Sequence, residues 1–327
     1  MEIMLVIEQE TSSEIGKDSE NEDSITANII SSFFNDNTFT TQNYKVKNRS
    51  TELPYERFKE LNSARLPTGL IPRIEYSKKH LDFLSKPFDS EYVMLNIDLV
   101  KRLTGKDLTA RDIYPYGGII TTSTIHDNAL CNFNVEREIE VIMKFKPAWH
   151  IPCDYPTYFE DCDEGREWFI DAMVEDTMNF IKAVKGTSIE VLPLIKGINE
   201  GEWKRSVSQF KNIGMNHFAF YVKQYFGSHN GKNDKLMVEH IRRIAYSCHP
   251  DYLMLVGYQS PFRIRDMPPE VKAFAGKRWV IGSKINDVSP EQARIKFLDW
   301  KNQFEEQNIV RQSVLKFEDE ILSKEVY

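Results

Sequence analysis

Long apolar stretches and paired cysteines are both scarce in this sequence. No apolar run in the 327 residues reaches the roughly 18 residues that a membrane-spanning helix needs, so we expect no membrane segment. The four cysteines are Cys131, Cys153, Cys162 and Cys248, and no two of them have CxxC spacing. At this chain length and cysteine density we expect reduced thiols in a cytoplasmic protein rather than a disulfide framework.

Positive charge and metal-ligand motifs are also in short supply. The chain has 42 Lys and Arg against 49 Asp and Glu, a net charge of −7, which argues against a generally basic nucleic-acid-binding surface. Any contact with nucleic acid must then use a local basic patch. No HxH or HExxH spacing occurs, so we predict no metal and no other cofactor. A metal site remains the alternative if His126, Asp127, His150, Asp154 and His249 converge.

Short apolar runs alternate with longer amphipathic stretches from residue 66 onward. Hydrophobic residues make up 41% of the chain, which is enough for a large packed core. The candidate strands are Leu70–Glu75, Tyr92–Ile97, Gly118–Thr124, Ala148–Cys153, Ile189–Ile195, His217–Val222, Tyr252–Val256 and Arg278–Ile281. Apolar residues at helical spacing predict helices at 136–145, 165–184, 201–213 and 235–247.

This alternation predicts an α/β fold, a TIM-like (β/α)8 barrel, because parallel strands need crossovers and about eight units can close a sheet. We expect a partly flexible, irregular N-terminal extension at 1–65, the barrel at 66–290 and C-terminal helices at 291–327. The apolar start of the chain, MEIMLVI, predicts a first strand rather than a signal peptide. Ser289 and Pro290 suit the N-cap and first position of a terminal helix.

Polar residues follow four of the predicted strands, where the chemistry of such barrels lies. Asp127, Asp154 and Asp287 each come after a strand, and Lys196-Gly197 follows another. Each aspartate by itself has a structural interpretation as a turn residue. Three carboxylates at three strand ends suit glycosyl transfer, since one can attack an anomeric carbon and another can move a proton.

Four segments have an order that resembles the tRNA-guanine transglycosylases. Residues 190–220 resemble a strand, a Gly-rich turn, an Asp-Leu-Arg-x-x-Ser helix and the next strand, with Ser206 at the serine. Residues 250–257 are similar to the Tyr-Leu-Met-x-Val-Gly strand, and 282–287 to the Gly-x-Asp-x-Phe-Asp segment. The Asp-Tyr-Pro form of 152–156 is more similar to the DNA 7-deazaguanine transglycosylases of phages and bacterial DNA-modification clusters. The resemblance covers roughly residues 117 to 290.

The resemblance implies a role for each matching residue. Asp287 would be the nucleophile that attacks C1′ and expels guanine, and Asp127 the general acid/base near the incoming base. Asp154 would bind the guanine-like edge of the base, and Lys196 stands where the family has a base-reading glutamine. Because the base must leave its stack, aromatic walls are also expected. The implied base-binding residues are Asp154, Tyr155, Lys196, Gly197 and Tyr258.

Several family features are absent from the sequence. Asp127 replaces the acid of an Asp-Ser-Gly-Gly loop, and another alignment would place Thr122 there and remove the acid. The Gly-Gly-Leu turn reads Tyr221-Val222-Lys223, without the glycines that let backbone approach a base. The zinc-binding cluster after the nucleophile is missing, which implies no structural zinc and a surface different from that of tRNA-acting relatives.

The resemblance therefore predicts an enzyme that replaces guanine in DNA with a 7-deazaguanine such as 7-cyano-7-deazaguanine. We expect the nucleic-acid backbone to contact Lys204, Arg205, Arg263 and Arg265. Three alternatives stay open: the same exchange on tRNA, a catalytically silent barrel that serves as a binding subunit, and an unrelated metal-dependent hydrolase. A homodimer also stays open.

Overall fold

The computed structural model describes residues 65–75, 77–124, 134–157, 162–226 and 233–324. Most of the predicted N-terminal extension, including the predicted first strand, lies outside these ranges, as does Asp127. Within them the fold is mixed α/β with parallel sheets. The strands are β1 (Gly69–Pro72), β2 (Tyr92–Asn96), β3 (Gly118–Thr122), β4 (Trp149–Ile151), β5 (Glu190–Val191), β6 (Leu194–Ile195), β7 (His217–Tyr221), β8 (Tyr252–Val256) and β9 (Val271–Gly276).

Helices follow most of the strands, and polar caps fix several of their starts. Asn96, Asn134 and Asn199 each accept a hydrogen bond from a backbone N–H of the first turn, which satisfies one donor that has no partner inside the helix. The helices are α1 (Lys78–Leu84), α2 (Ile97–Thr104), α3 (Ala110–Ile113), α4 (Val135–Phe145), α5 (Asp163–Val184), α6 (Glu200–Asn212), α7 (Asp234–Cys248), α8 (Trp279–Ser283) and α9 (Pro290–Lys324), with 3₁₀ helices η1 (Lys223–Phe226) and η2 (Pro261–Asp266).

All strand pairs in the described ranges are parallel, and they form two sheets. One sheet has the order β1-β9-β8-β7-β6 and the other the order β2-β3-β4-β5. A parallel bridge joins Arg73, just after β1, to Met94 in β2. At the other end, β5 and β6 are parts of one segment interrupted at Leu192 and Pro193, where proline has no N–H to donate. The predicted strand at 189–195 is therefore present as two short pieces.

One predicted strand is wrong. Residues 278–281 belong to the turn and helix α8, and the last strand is β9, seven residues earlier. Local apolar character favoured Trp279 and its neighbours over β9, in which two small alanines, Ala273 and Ala275, alternate with Phe274. Trp279 is buried in the helix, and its ring N–H donates to the carbonyl of Arg73 at 2.9 Å. Tertiary packing of one large side chain thus overrides local propensity.

The chain's last helix begins as predicted. Ser289 Oγ accepts from the N–H of Gln292 at 3.3 Å, and Pro290 is the first helical residue. A single helix of 35 residues is present where terminal helices were predicted. Its buried Arg311 donates to the carbonyls of Pro268 (2.5 Å) and Val271 (3.0 Å), so the helix is held against the start of β9.

Most strand residues are buried on both faces, as expected for parallel sheets covered by helices, and Lys272 of β9 is an exposed exception. Tyr92, Trp149 and Tyr252 are buried, and the Tyr252 hydroxyl donates to the carbonyl of Pro67 at 2.6 Å. None of the helices in the described ranges contains an apolar stretch long enough to span a bilayer.

Candidate functional site

A buried ion pair lies at the carboxyl edge of the strands. Asp154 follows β4 and Lys196 follows β6, and Lys196 Nζ contacts Asp154 Oδ1. The Asp154 side chain is only 6% exposed, and the Lys196 side chain is 12% exposed. The backbone N–H of Asp154 donates to the hydroxyl of Ser123 at 3.1 Å, which ties it to the end of β3. The structure thus brings together two of the predicted base-binding residues from segments 42 residues apart.

The backbone before Asp154 is held in an uncommon conformation. Cys153 has φ +54°, the left-handed region that non-glycine residues rarely adopt. Its N–H lies 3.3 and 3.4 Å from the two carboxylate oxygens of Glu138, a buried residue of α4. Burial, together with the nearby Glu138 carboxylate, raises the pKa of the Cys153 thiol well above its usual value. Cys153 is therefore a neutral, buried packing residue.

Glu138 is in turn the centre of a buried polar network. His150 Nε2 lies 2.7 Å from Glu138 Oε1, and His150 Nδ1 lies 2.7 Å from Thr121 Oγ1. With the carboxylate as acceptor, Nε2 carries the proton. His150 and Thr121 are fully buried. The network joins α4 to β3 and β4 beneath the Asp154–Lys196 pair.

The loop that carries Lys196 is fastened by helix α6. The N–H of Ile198 donates to Glu202 Oε2 at 2.7 Å, and the N–H of Lys196 donates to Ser206 Oγ at 3.3 Å. Gly197 between them has φ +110°, and its carbonyl accepts from the ring N–H of Trp203 at 2.9 Å. The serine and the Gly-rich turn of the resemblance are therefore loop-fixing groups in this chain.

Gly197→Ala tests how closely this loop is fitted. A Cβ atom at Gly197 would lie 2.4 Å from the Cβ of Glu202, and the φ value disfavours any other residue. We expect a loss of about 2–4 kcal/mol in the free energy of unfolding, measured by urea denaturation. Gly186→Ala is the matched control, since its φ is +85° but nothing lies within 4 Å. Equal losses for the two variants would contradict the close fit.

The rings of Tyr155 and Tyr258, both predicted to bind the base, are not open to solvent. Tyr155 is half-buried, and its hydroxyl donates to Asp176. Burial and this carboxylate raise the pKa of Tyr155 far above its usual value. Tyr258 is 5% exposed and stacks on Phe226, with the ring centroids 5.9 Å apart. Burial raises the pKa of Tyr258 to about 12. Both tyrosines pack beside the strand ends.

Of the two predicted catalytic aspartates, the structure describes only Asp287. Asp127 and His126 lie outside the described residues. Asp287 is exposed, in the turn between α8 and α9, and helix α8 separates it from the end of β9. Thr122, the residue of the alternative alignment, is buried with its hydroxyl 2.9 Å from that of Thr124.

The predicted backbone-contact residues are already engaged. Lys204 pairs with Glu200 at 2.5 Å, and Arg205 contacts Asp171 at 2.6 Å and Glu167 at 2.7 Å. Two further cations also have partners: Arg263 lies 3.3 Å from an Asp266 oxygen, and Arg265 donates to Gln307 at 2.8 Å. A phosphate at Arg205 would have to displace two carboxylates.

The histidines and acids do not form a metal centre in the described ranges. No group of three or more His, Cys, Asp or Glu residues is arranged to hold a metal ion there. His150 is engaged with Glu138 and Thr121, and His249 is an exposed residue at the end of α7.

The sequence reasoning missed the Glu138 network. A signal was present, because Glu138 falls on the stripe of α4 that also carries Val135, Ile142 and Phe145. A carboxylate on an apolar stripe needs a buried partner. No protein-family model matches the chain, and no curated protein matches it. The contacts of the site are therefore the basis for a functional proposal.

Proposed function

We propose that this chain recognises a guanine-type base at the Asp154–Lys196 pair and exchanges it in DNA for a 7-deazaguanine. The observation that carries the proposal is the buried acid–base pair itself. A guanine edge presents one acceptor, O6, beside two donors, N1–H and the exocyclic amine. A carboxylate can accept from both donors while an ammonium group donates to O6, so the pair complements this edge.

We further propose that the two sheets close into one eight-stranded barrel with the pair at its mouth. Three contacts support closure. The N–H of Leu192 donates to the carbonyl of His150 (2.8 Å) and that of Ala219 to Pro193 (2.8 Å), so one segment pairs with both sheets. On the opposite side, the N–H of Ile74 donates to the carbonyl of Met94 at 2.8 Å. Ligands of such barrels bind at the carboxyl edge.

The exchange needs a nucleophile and a proton carrier. In the proposed reaction the Asp287 carboxylate attacks C1′ of the nucleotide, and the bond from C1′ to N9 of guanine breaks as Asp127, acting as the acid, donates its proton to the departing guanine. Asp127 then accepts the N9 proton of the incoming base, whose N9 attacks C1′ and releases Asp287. The resemblance supports these two assignments. The missing zinc cluster supports DNA over tRNA as the substrate.

One observation favours a second candidate, a catalytically silent barrel that binds the base for a partner enzyme. The strand after β8 ends in Phe274-Ala275-Gly276, which carries no carboxylate, and Asp287 is exposed beyond helix α8. A base bound at Asp154 and Lys196 would then have no covalent partner among the residues that the structure describes.

A trapping experiment separates the two candidates. The protein is mixed with guanine-containing DNA or tRNA and a 7-deazaguanine, and adducts are sought on a denaturing gel. We expect an adduct with DNA that is lost in Asp287→Asn, because the amide is not a nucleophile. Asp299→Asn, an exposed aspartate on α9, is the matched control and should keep the adduct. Base binding without any adduct or exchange would support the silent barrel, and absence of base binding would overturn both candidates.

A further inference from the structure

A groove on the outer surface carries the cations that the proposed function requires. The exposed face of α7 and the 3₁₀ helix η2 enclose a space of about 530 Å³. Lys235, Arg242, Arg243, Arg263 and the exposed Tyr246 line it, together with Glu239 and Asp266. Four cations against two carboxylates give the lining an excess of positive charge, in a chain with a net charge of −7.

Lys235, Arg242 and Arg243 differ from Lys204 and Arg205 because no carboxylate in the described ranges neutralises them. Among the described residues, no carboxylate lies within ion-pair distance of Lys235, Arg242 or Arg243. Arg242 Nε donates to the carbonyl of Asp266 at 3.0 Å, which fixes its guanidinium beside the groove and leaves its other donors for a ligand. The guanidinium of Arg243 lies over the Trp203 ring, 5.7 Å from its centroid.

The groove begins at the same edge as the Asp154–Lys196 pair. Helix α7 starts after the loop that follows β7, so Lys235 in its first turn lies at the carboxyl edge. There Arg263 of η2 lies 3.8 Å from Asp234. The stripe from Lys235 to Tyr246 extends about 16 Å down the outer wall at the rise of an α-helix. This length suits a short segment of an extended strand.

We propose that this groove binds the single-stranded nucleic-acid segment next to the base that is read at Asp154 and Lys196. The inference rests on the proposed function for the identity of the strand. Phosphates contact Lys235, Arg242 and Arg243, and one base stacks on Tyr246, as in other grooves that combine positive charge with aromatic side chains. An enzyme that acts on a base needs that base outside the stack, and a single strand presents it without the free-energy cost of unpairing a duplex, which makes a single strand the expected ligand.

Fluorescence anisotropy of a labelled single-stranded oligodeoxynucleotide tests the groove in the full chain. We expect Lys235→Gln with Arg242→Gln to weaken binding at least tenfold. The slope of log affinity against log salt should fall by about 1.4, since each phosphate contact on a single strand contributes roughly 0.7. Tyr246→Ala should weaken binding about fivefold or more.

Two controls separate a ligand site from a structural effect. Lys182→Gln with Lys185→Gln removes two exposed cations from the end of α5 and should leave the affinity and the salt slope unchanged. Glu239 also lines the groove, so Glu239→Gln should tighten binding by removing a repulsive charge. The groove proposal would be refuted if the Lys235/Arg242 variant bound with wild-type affinity or if Glu239→Gln bound more weakly.

Calorimetry with free 7-deazaguanine distinguishes this inference from the proposed function. The groove variants should bind the free base as the wild type does. If the groove variants weaken strand binding but the protein does not bind the free base, the groove proposal holds and the proposed base site is refuted.

Discussion

Asp154→Asn is expected to weaken binding of guanine or a 7-deazaguanine by roughly 10²- to 10⁴-fold. The carboxylate can accept from both donors of the base edge, whereas an amide accepts with one atom and presents an N–H to a donor. The loss corresponds to about two hydrogen bonds to a charged group, at roughly 1.5–3 kcal/mol each. Calorimetric titration of the free base measures it without requiring catalysis.

Lys196 offers a graded companion to this variant. Lys196→Gln supplies the glutamine of the resembling family, which retains an N–H donor for O6, so we expect only about a tenfold loss. Lys196→Met removes the donor and leaves Asp154 buried without its cation, and should lose more. Asp251→Asn, an exposed aspartate just before β8 at the opposite edge, is the matched control. Binding that is unchanged in Asp154→Asn would refute the assigned base site.

Glu138→Ala is expected to give the largest loss of stability, about 3–5 kcal/mol in the free energy of unfolding. The substitution leaves His150 Nε2 and the N–H of Cys153 buried without their acceptor. For a domain of this size the melting temperature should fall by roughly 6–15 °C. Urea denaturation and thermal melts both measure the effect.

Two variants show whether the network, and not helix α4 alone, is responsible. Glu140→Ala removes an exposed carboxylate from the same helix and should change stability by no more than about 0.5 kcal/mol. Glu138→Gln keeps an acceptor oxygen and should recover part of the loss. If Glu138→Ala costs no more than Glu140→Ala, the buried network does not stabilise the fold. A folded Glu138→Ala protein with weaker base binding would show that the network also directs Asp154.

The sequence predicted elements wherever one face of a segment decides its structure. Helices α4, α5, α6 and α7 begin and end within two residues of their predicted limits, because an apolar stripe at helical spacing must be buried and an asparagine or aspartate begins the helix. Strands such as β8 were found because parallel strands are apolar on both faces. Periodicity and capping are local properties, and the sequence displays them directly.

Only the tertiary structure decided which residues distant in sequence contact each other. Lys196 and Asp154 were both predicted to contact a base, but nothing local indicates that they pair with each other. Arg205 was predicted to contact phosphate, but nothing local indicates its ion pairs with Asp171 and Glu167 on the neighbouring helix α5. The sequence specifies the charge of a side chain, but whether an opposite charge neutralises it depends on which helix packs beside it.

The same dependence on tertiary contacts explains why the last strand was predicted at the wrong residues. The sequence by itself determined the alternation of strands and helices, the start of α9 at Pro290 and the acidic composition that confines any nucleic-acid contact to a local patch. The tertiary structure alone decided that Val271–Gly276 is the strand and that Trp279 fills a buried site in a helix. Backbone pairing partners and the space available for one large ring are set by contacts between distant segments, and local propensity does not report them.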